Sequence, residues 1–222
     1  MKNIALFKNF IETLKDQQQY QYLFLTLTVP NCRYEDLRQT IKGMNESWRR
    51  LTKRKDFPAV GFIKSTEVTN EQKRKGYAHP HFHILLAVKP SYFGKRYIPK
   101  QRWLELWQEA TGDYSITQVD IRKVKPNGRG STSLESAVVE TLKYGTKVED
   151  ILDEDFLIAL THQLHKLRFL STGGVLKDAI KEEVSNQEMI ETGDDEAEGE
   201  SHDPSLYFGW QRQRRKYQRV SL

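Results

Sequence analysis

Three histidines at alternate positions, His79, His81 and His83, are the residues of this sequence best suited to chemistry. The apolar residues 84–88 follow them directly and predict a buried β-strand. Because alternate side chains of a strand point to the same face, His81 and His83 are expected on one side, about 7 Å apart. Two imidazoles held in this way can bind a divalent metal ion.

Glu67 is the acidic residue that we expect beside these histidines. Residues 60–68 read as a strand and residues 70–76 as a polar turn, so the two strands are predicted to form a hairpin. Together with His81 and His83, Glu67 would give three ligands and leave open positions, which suit catalysis better than a structural zinc site. His79 shares the alternation, but Pro80 is expected to end the strand, so a ligand role for His79 stays open.

A second set of residues lies on a predicted helix over residues 132–144. Glu140 and Tyr144 are four residues apart and therefore share a face, and Lys147 joins them only if the helix continues past Gly145. The ordinary pKa of tyrosine is about 10, so a nucleophilic tyrosine needs a nearby metal or lysine to favour its anion. Glu140 could act as a base toward water or a hydroxyl. The alternative for Tyr144 is an ordinary core tyrosine.

A metal site and an activated tyrosine together predict phosphoryl transfer. The metal would polarise a phosphodiester, and Tyr144 would attack it to form a phosphotyrosine ester. This chemistry conserves the energy of the bond and frees a 3′-hydroxyl, so it suits the nicking and rejoining of DNA.

The elements that must position these residues follow the order strand, helix, strand, strand, helix, strand. Apolar periodicity predicts the following elements: a helix over 3–18, strands over 22–29, 60–68, the histidine segment and 116–124, and helices over 34–53, 99–111, 132–144 and 153–170. A βαββαβ order predicts an α+β fold with a four-stranded antiparallel sheet and helices on one face. Later helices or a ligand must cover the other face.

The charge of the chain is divided unevenly along its length. Residues 1–180 carry a formal charge of +9, residues 181–203 carry −9 and residues 204–222 carry +5. We therefore predict a basic nicking and DNA-binding domain over 1–180, an acidic disordered linker over 181–203, and a basic aromatic tail over 204–222. The single cysteine fits a reducing cytoplasm, and no apolar run is long enough to span a membrane.

Three segments resemble the three motifs of plasmid rolling-circle replication initiators in the HUH endonuclease superfamily. They are Phe-Leu-Thr-Leu-Thr-Val-Pro-Asn at 24–31, His-Pro-His-Phe-His at 79–83, and Glu-Thr-Leu-Lys-Tyr-Gly-Thr-Lys at 140–147. The resemblance covers roughly residues 20–150 and depends on all three motifs occurring in this order. It implies a βαββαβ catalytic domain that uses Mg²⁺ or Mn²⁺.

The resemblance also implies roles and partners. Tyr144 would form a 5′-phosphotyrosine link at a single-stranded or hairpin origin, and Glu140 would activate water for a terminating hydrolysis. Glu67 matches the acidic third ligand of similar viral initiators. No helicase motif is found, so a host helicase and a host polymerase are expected as partners. A transposase or relaxase with the same chemistry, and a non-catalytic RRM-like nucleic-acid binder, remain as alternatives.

Overall fold

The chain divides into two units, Met1–Asn186 and Gln187–Leu222. The computed structural model describes residues 14, 19–94, 96–125, 133–142, 150, 153–177, 208–211 and 216–219. In the second unit, the described residues form one antiparallel hairpin, whose strands Phe208–Gln211 and Lys216–Arg219 we number β7 and β8. The boundaries proposed at residues 180 and 203 stay predictions.

The first unit has the predicted alternation of strands and helices. Its strands are β1 (Gln21–Thr28), β2 (Cys32–Arg33), β3 (Ala59–Asn70), β4 (Tyr77–Val88), β5 (Val119–Val124) and β6 (Leu170–Gly174). Its helices are α1 (Leu37–Thr52), α2 (Lys100–Thr111), α3 (Leu134–Leu142) and α4 (Glu154–Leu164). Within the described part of the chain, no helix is both long and apolar enough to cross a membrane.

All strands of the first unit join one antiparallel sheet in the order β5-β1-β4-β3-β6, and β2 pairs with the start of β4. The middle strands β1 and β4 are apolar on both faces over much of their length, as expected for strands covered on two sides. The predicted α+β fold and the antiparallel βαββαβ core are confirmed. The sheet has six strands rather than the predicted four because β2 and β6 extend it.

One face of the sheet packs against α1 and α2. Leu25 of β1 and Phe82 of β4 lie in one buried cluster with Met44 and Trp48 of α1 and Trp103 of α2. Five apolar residues of α1 recur at spacings of three and four and are all buried, and they are Leu37, Ile41, Met44, Trp48 and Leu51. A stripe of apolar residues at spacings of three and four therefore fixes α1 on the sheet.

The opposite face is divided between an apolar half and a polar half. Leu134 and Val138 of α3 pack with Phe24 of β1 and Leu85 of β4 in a second buried cluster. A later helix thus covers this face, as the sequence required. Thr26, two residues after Phe24 on β1, pairs with His83, two residues before Leu85 on β4. The polar half of this face begins at that pair.

The predicted helix over residues 153–170 is too long. The structure ends α4 at Leu164, and Lys166 then adopts a positive φ of 60°, a conformation that stops an α-helix. Leu170–Gly174 instead forms β6 and pairs with Gly61–Ser65 of β3. Apolar residues after Leu164 pack on two different clusters, so their helix-like spacing was misleading.

Two further strand boundaries were wrong. β4 continues through Pro80. Proline has no backbone N–H to donate, but none is needed on the side of β1 and β2, because β1 pairs only as far as His81 and β2 begins opposite Ala78. β5 begins at Val119 rather than at residue 116. The predicted helix over 3–18 lies outside the described residues apart from Leu14, which is buried and helical.

Candidate metal centre

The β3–β4 hairpin brings the predicted acidic residue to the two histidines. In its register Glu67 pairs with His81 and Ser65 pairs with His83, so Glu67, His81 and His83 project from the same face of adjacent strands. The hairpin predicted from the polar turn is therefore present. Glu67 is 3% exposed and His83 is 6% exposed, which shields the cluster from bulk water.

The three side chains converge on a single point. Oε2 of Glu67 lies 2.9 Å from Nε2 of His81 and 2.6 Å from Nε2 of His83. The ligand atoms of Glu67, His81 and His83 all lie within 4.8 Å of one another. Ligands about 2.1 Å from a metal ion stand roughly 3 Å apart when they occupy neighbouring positions around it. The cluster therefore has the spacing of a metal centre.

The other ring nitrogens fix the orientation of both imidazoles. Nδ1 of His81 lies 3.2 Å from the backbone oxygen of His79, which can only accept, so this nitrogen carries a proton. Nδ1 of His83 lies 3.4 Å from the hydroxyl of Thr26, and the His83 ring stacks on Phe24 with a centroid distance of 5.5 Å. Such contacts leave Nε2 of each histidine directed at Glu67, as in metal sites whose ligands are held by outer partners.

Opposing effects set the charge of Glu67. Burial alone would raise the pKa of its carboxyl group, but hydrogen bonds to His81 and His83 and the charges of those rings hold the pKa well below its usual range. Glu67 is therefore a carboxylate at neutral pH. Binding of a divalent cation between these groups requires the Nε2 atoms of both histidines to be unprotonated.

The donor set fits a divalent cation. Two imidazoles and one carboxylate on a rigid hairpin form a three-ligand site of the type that binds first-row transition ions with positions left open. Of the two ions implied by the resemblance, Mn²⁺ accepts nitrogen ligands more readily than Mg²⁺, which prefers oxygen ligands alone. The residues therefore favour Mn²⁺ over Mg²⁺.

Helix α3 directs Glu140 toward this centre. Oε1 of Glu140 lies 3.7 Å from Nε2 of His83, and its side chain is 36% exposed. Ser133 caps the start of this helix, because its hydroxyl accepts a hydrogen bond from the backbone N–H of Ser136 at 3.0 Å. Residue 132, where the helix was predicted to begin, lies outside the described residues. A half-exposed carboxylate next to the centre is well placed to accept a proton from water.

His79 lies beside the centre but outside the group of three. Its ring is 5.2 Å from that of His81, and its Nδ1 faces Oδ1 of Asn31 at 2.5 Å. Asn31 in turn donates to Glu71. Burial, and then the charge of His81, lower the pKa of His79. The sequence left a ligand role for His79 open, and this geometry does not favour one.

Tyr144 and Lys147, the proposed nucleophile and its helper, lie outside the described residues. The described chain stops at Leu142 and includes Asp150. Asp150 is 6% exposed, and its carboxylate accepts hydrogen bonds from the backbone N–H of Asn70 at 3.0 Å and from the side chain of Gln72 at 3.3 Å. Asp150 is therefore fixed at the end of β3, three residues beyond Glu67.

Several residues that support the centre were not assigned a role from the sequence. Thr26 and Phe24 lie within a quoted motif, and their alternation along β1 could have placed them on the histidine face. Asn31 ends the same motif but lies between β1 and β2, and Asp150 is distant in sequence from β3, so alternation could place neither of them. Arg122 was read only as part of a strand.

Comparison with known proteins identifies the family of this chain. A family model described as "Replication protein" matches residues 1–218. "Protein rep" of Streptococcus pneumoniae serotype 2 (strain D39 / NCTC 7466) is 35% identical over 198 residues, which cover 84% of this chain and 61% of that protein. "Replication protein" of Staphylococcus aureus is 32% identical over 222 residues, covering 93% of both chains. No solved structure matches.

An open antiparallel sheet that carries two histidines and a carboxylate on adjacent strands is consistent with the HUH endonuclease fold expected from the motifs. The chain belongs to the replication protein family. The resemblance to plasmid replication initiators is thereby confirmed at the level of the family. The chain spans 61% of the length of the first two curated relatives it matches, the pneumococcal protein and a second "Protein rep" from Staphylococcus aureus.

Proposed function

We propose that this protein initiates plasmid rolling-circle replication by nicking one strand of the origin through Tyr144. The observation that carries the proposal is the convergence of Glu67, His81 and His83 on one point, with Glu140 of α3 3.7 Å from His83. Tyr144 follows Glu140 by four residues in the sequence. Family membership supports replication over transposition or mobilisation as the process served.

Glu67, His81 and His83 would hold Mn²⁺ or Mg²⁺. When bound, the ion would polarise the scissile phosphodiester and neutralise part of its negative charge. The buried carboxylate of Glu67 keeps the two imidazoles directed inward, and the contacts of Thr26, Phe24 and the His79 backbone keep them from rotating.

Tyr144 would supply the nucleophile. Its phenolic oxygen forms a bond to phosphorus while the bond from phosphorus to the 3′-oxygen breaks, which yields a 5′-phosphotyrosine and a free 3′-hydroxyl. The phenolic proton passes to a base or to solvent, and the leaving 3′-oxygen takes up a proton. Lys147, if it lies near, would stabilise the phenolate through its positive charge.

Glu140 would act in a later step. After strand displacement, its carboxylate accepts a proton from a water molecule that attacks the phosphotyrosine or a newly formed phosphodiester, and the reaction ends by hydrolysis. A carboxylate at 36% exposure beside the centre is accessible to water and yet within reach of the buried histidines.

The partners proposed for this function are nucleic acid and host proteins. The formal charge of +9 over residues 1–180 suits binding to single-stranded or hairpin origin DNA. A host helicase would unwind the plasmid, and a host polymerase would extend the free 3′-hydroxyl.

The full-length protein can be tested with single-stranded DNA that carries the origin of its plasmid. With Mn²⁺ present, we expect a shortened strand that a polymerase can extend from its new 3′ end, and no product in the presence of EDTA. Glu67→Gln should abolish the product, whereas Glu109→Gln on α2, away from the centre, should leave it unchanged. Binding of the DNA without cleavage under all metal conditions would instead favour a non-catalytic nucleic-acid binder.

A further inference from the structure

Arg122 of β5 has no ionic partner in the part of the chain that the structure describes. Its Nε is buried and forms no hydrogen bond to any described residue. Other partly buried arginines have polar partners, since Arg54 pairs with Asp56 and Arg102 pairs with Glu105, while Arg38 donates to the backbone oxygen of His165 at 2.6 Å. A half-buried cation without a partner is costly unless an anion reaches it during function.

The register of the sheet places Arg122 on the face of the metal centre. Arg122 pairs with Phe24 of β1, while Thr26, two residues along β1, pairs with His83 of β4. Because alternate residues share a face, Arg122, Phe24 and His83 lie side by side across three adjacent strands. The next residue, Lys123, belongs to the opposite face, where its Nζ lies 4.1 Å from the ring centre of Phe93.

Phe24 is the only spacer between the guanidinium and the candidate ligand within the described structure. Cζ of Arg122 lies 4.6 Å from the centre of the Phe24 ring, and the His83 ring stacks on Phe24 at 5.5 Å with an angle of 27°. The aromatic contact holds the guanidinium in place without using its hydrogen-bond donors. No described residue accepts a hydrogen bond from this guanidinium, so its donors can bind a ligand from the same face.

We propose that Arg122 binds a backbone phosphate of the DNA strand adjacent to the scissile phosphate. A planar guanidinium matches the oxygens of a phosphate group. The Phe24 ring separates Arg122 from His83, so Arg122 and the histidine cluster are too far apart to bind the same oxygen. This inference rests on the proposed function, because a DNA strand must lie across the face that holds His83. It adds a substrate-binding residue that none of the three motifs contains.

A different role would also use the same contacts. Arg122 could act only through Phe24, by holding that ring against His83 and so orienting a metal ligand. The two roles differ in what is lost on substitution, because a phosphate contact contributes to DNA binding in the absence of metal, whereas an orienting contact contributes to metal binding in the absence of DNA.

Fluorescence anisotropy with a short labelled oligothymidylate in EDTA tests the phosphate contact on the full-length protein. We expect Arg122→Gln to bind about tenfold more weakly than the wild type. The slope of log affinity against log salt should also become shallower by about 0.7, the contribution of one phosphate on a single strand. Arg122→Lys should restore part of the affinity and the slope, and Arg102→Gln should match the wild type.

Thermal unfolding with increasing Mn²⁺ supplies the second measurement. Arg122→Gln should be stabilised by Mn²⁺ to the same extent as the wild type. Unchanged oligonucleotide binding and an unchanged salt slope in Arg122→Gln would overturn the assignment, as would a loss of Mn²⁺ stabilisation alone. A wild-type protein that binds no single-stranded DNA would contradict the proposed function itself, which separates the two failures.

Discussion

Glu140 of α3 lies 3.7 Å from His83 of β4, so the helix that leads toward Tyr144 is docked directly on the strand that carries two candidate metal ligands. The docking depends on apolar contacts of the same helix, since Leu134 and Val138 pack with Phe24 and Leu85 on the sheet. A carboxylate is thereby held next to the candidate metal centre by the apolar packing of its own helix.

The first prediction concerns this carboxylate. Glu140→Ala should still form the covalent DNA adduct and release a free 3′ end, because Tyr144 rather than Glu140 is the proposed nucleophile. Hydrolytic release of the product should slow by about a hundredfold, the usual contribution of one general base. Single-turnover assays that follow adduct formation and adduct decay separately measure both rates. Equal slowing of both rates would contradict the separate role of Glu140.

The second prediction concerns the carboxylate between the histidines. Glu67→Gln keeps the shape of the side chain but removes its charge, so Mn²⁺ should bind at least tenfold more weakly. Calorimetric titration of the full chain with Mn²⁺ measures the affinity. Glu109→Gln, which removes an exposed carboxylate on α2, is the matched control and should bind as the wild type does. Equal affinity of Glu67→Gln and wild type would exclude Glu67 as a ligand.

The third prediction separates His79 from the other two histidines. His81→Ala and His83→Ala each remove a nitrogen that faces Glu67, and both should lose measurable stabilisation by Mn²⁺. His79→Ala should keep it, because the His79 group that contacts His81 is its backbone oxygen, which alanine retains. Thermal unfolding with and without Mn²⁺ compares the three variants. A loss in His79→Ala equal to that in His83→Ala would make His79 a ligand.

The fourth prediction concerns a buried lysine on the other face of the sheet. Lys64 is 2% exposed, donates to Oδ1 of Asn45 at 3.0 Å, and lies 3.8 Å from the ring centre of Phe82. Burial lowers the pKa of Lys64 to about 7. Between pH 7 and the unfolded pKa of about 10.4, the unfolded chain binds more protons than the folded one, so stability rises with pH.

Lys64→Met should remove this pH dependence. The free energy of unfolding of the variant should exceed that of the wild type by a few kcal/mol near pH 6, on the order of the shift in pKa, and the difference should shrink as the pH rises toward 10. Urea unfolding at several pH values measures the difference, with Lys42→Met on the exposed face of α1 as control. A difference that stays constant with pH would show that Lys64 is charged in the folded protein throughout.

Much of the fold could be predicted from the sequence, because the apolar residues of most helices and strands face a single contact surface. The stripe on α1 faces one side of the sheet, and the apolar residues after His83 form the buried second half of β4, so periodicity and structure agree. Periodicity gave the wrong structure for residues 165–174, because Leu167 and Leu170 pack on different clusters. No local sequence pattern indicates that the chain turns here to join the edge of a sheet.

The candidate site was predictable only in part, for a related reason. Glu67, His81 and His83 lie on a hairpin, whose register follows from a short turn and from alternation. Arg122 reaches the same face from β5 at the sheet edge, and Asp150 reaches the end of β3 from a segment distant in sequence. Contacts of this kind depend on the order of strands, which periodicity alone does not give.

The most direct test of the proposed function is mass spectrometry of the covalent product. Full-length protein incubated with single-stranded origin DNA and Mn²⁺ should yield, after digestion, one peptide that carries a nucleotide on Tyr144, and Tyr144→Phe should yield none. Lys147→Ala should still give the modified peptide, but more slowly. A nucleotide found on another residue, or an adduct that persists in Tyr144→Phe, would contradict Tyr144 as the nucleophile.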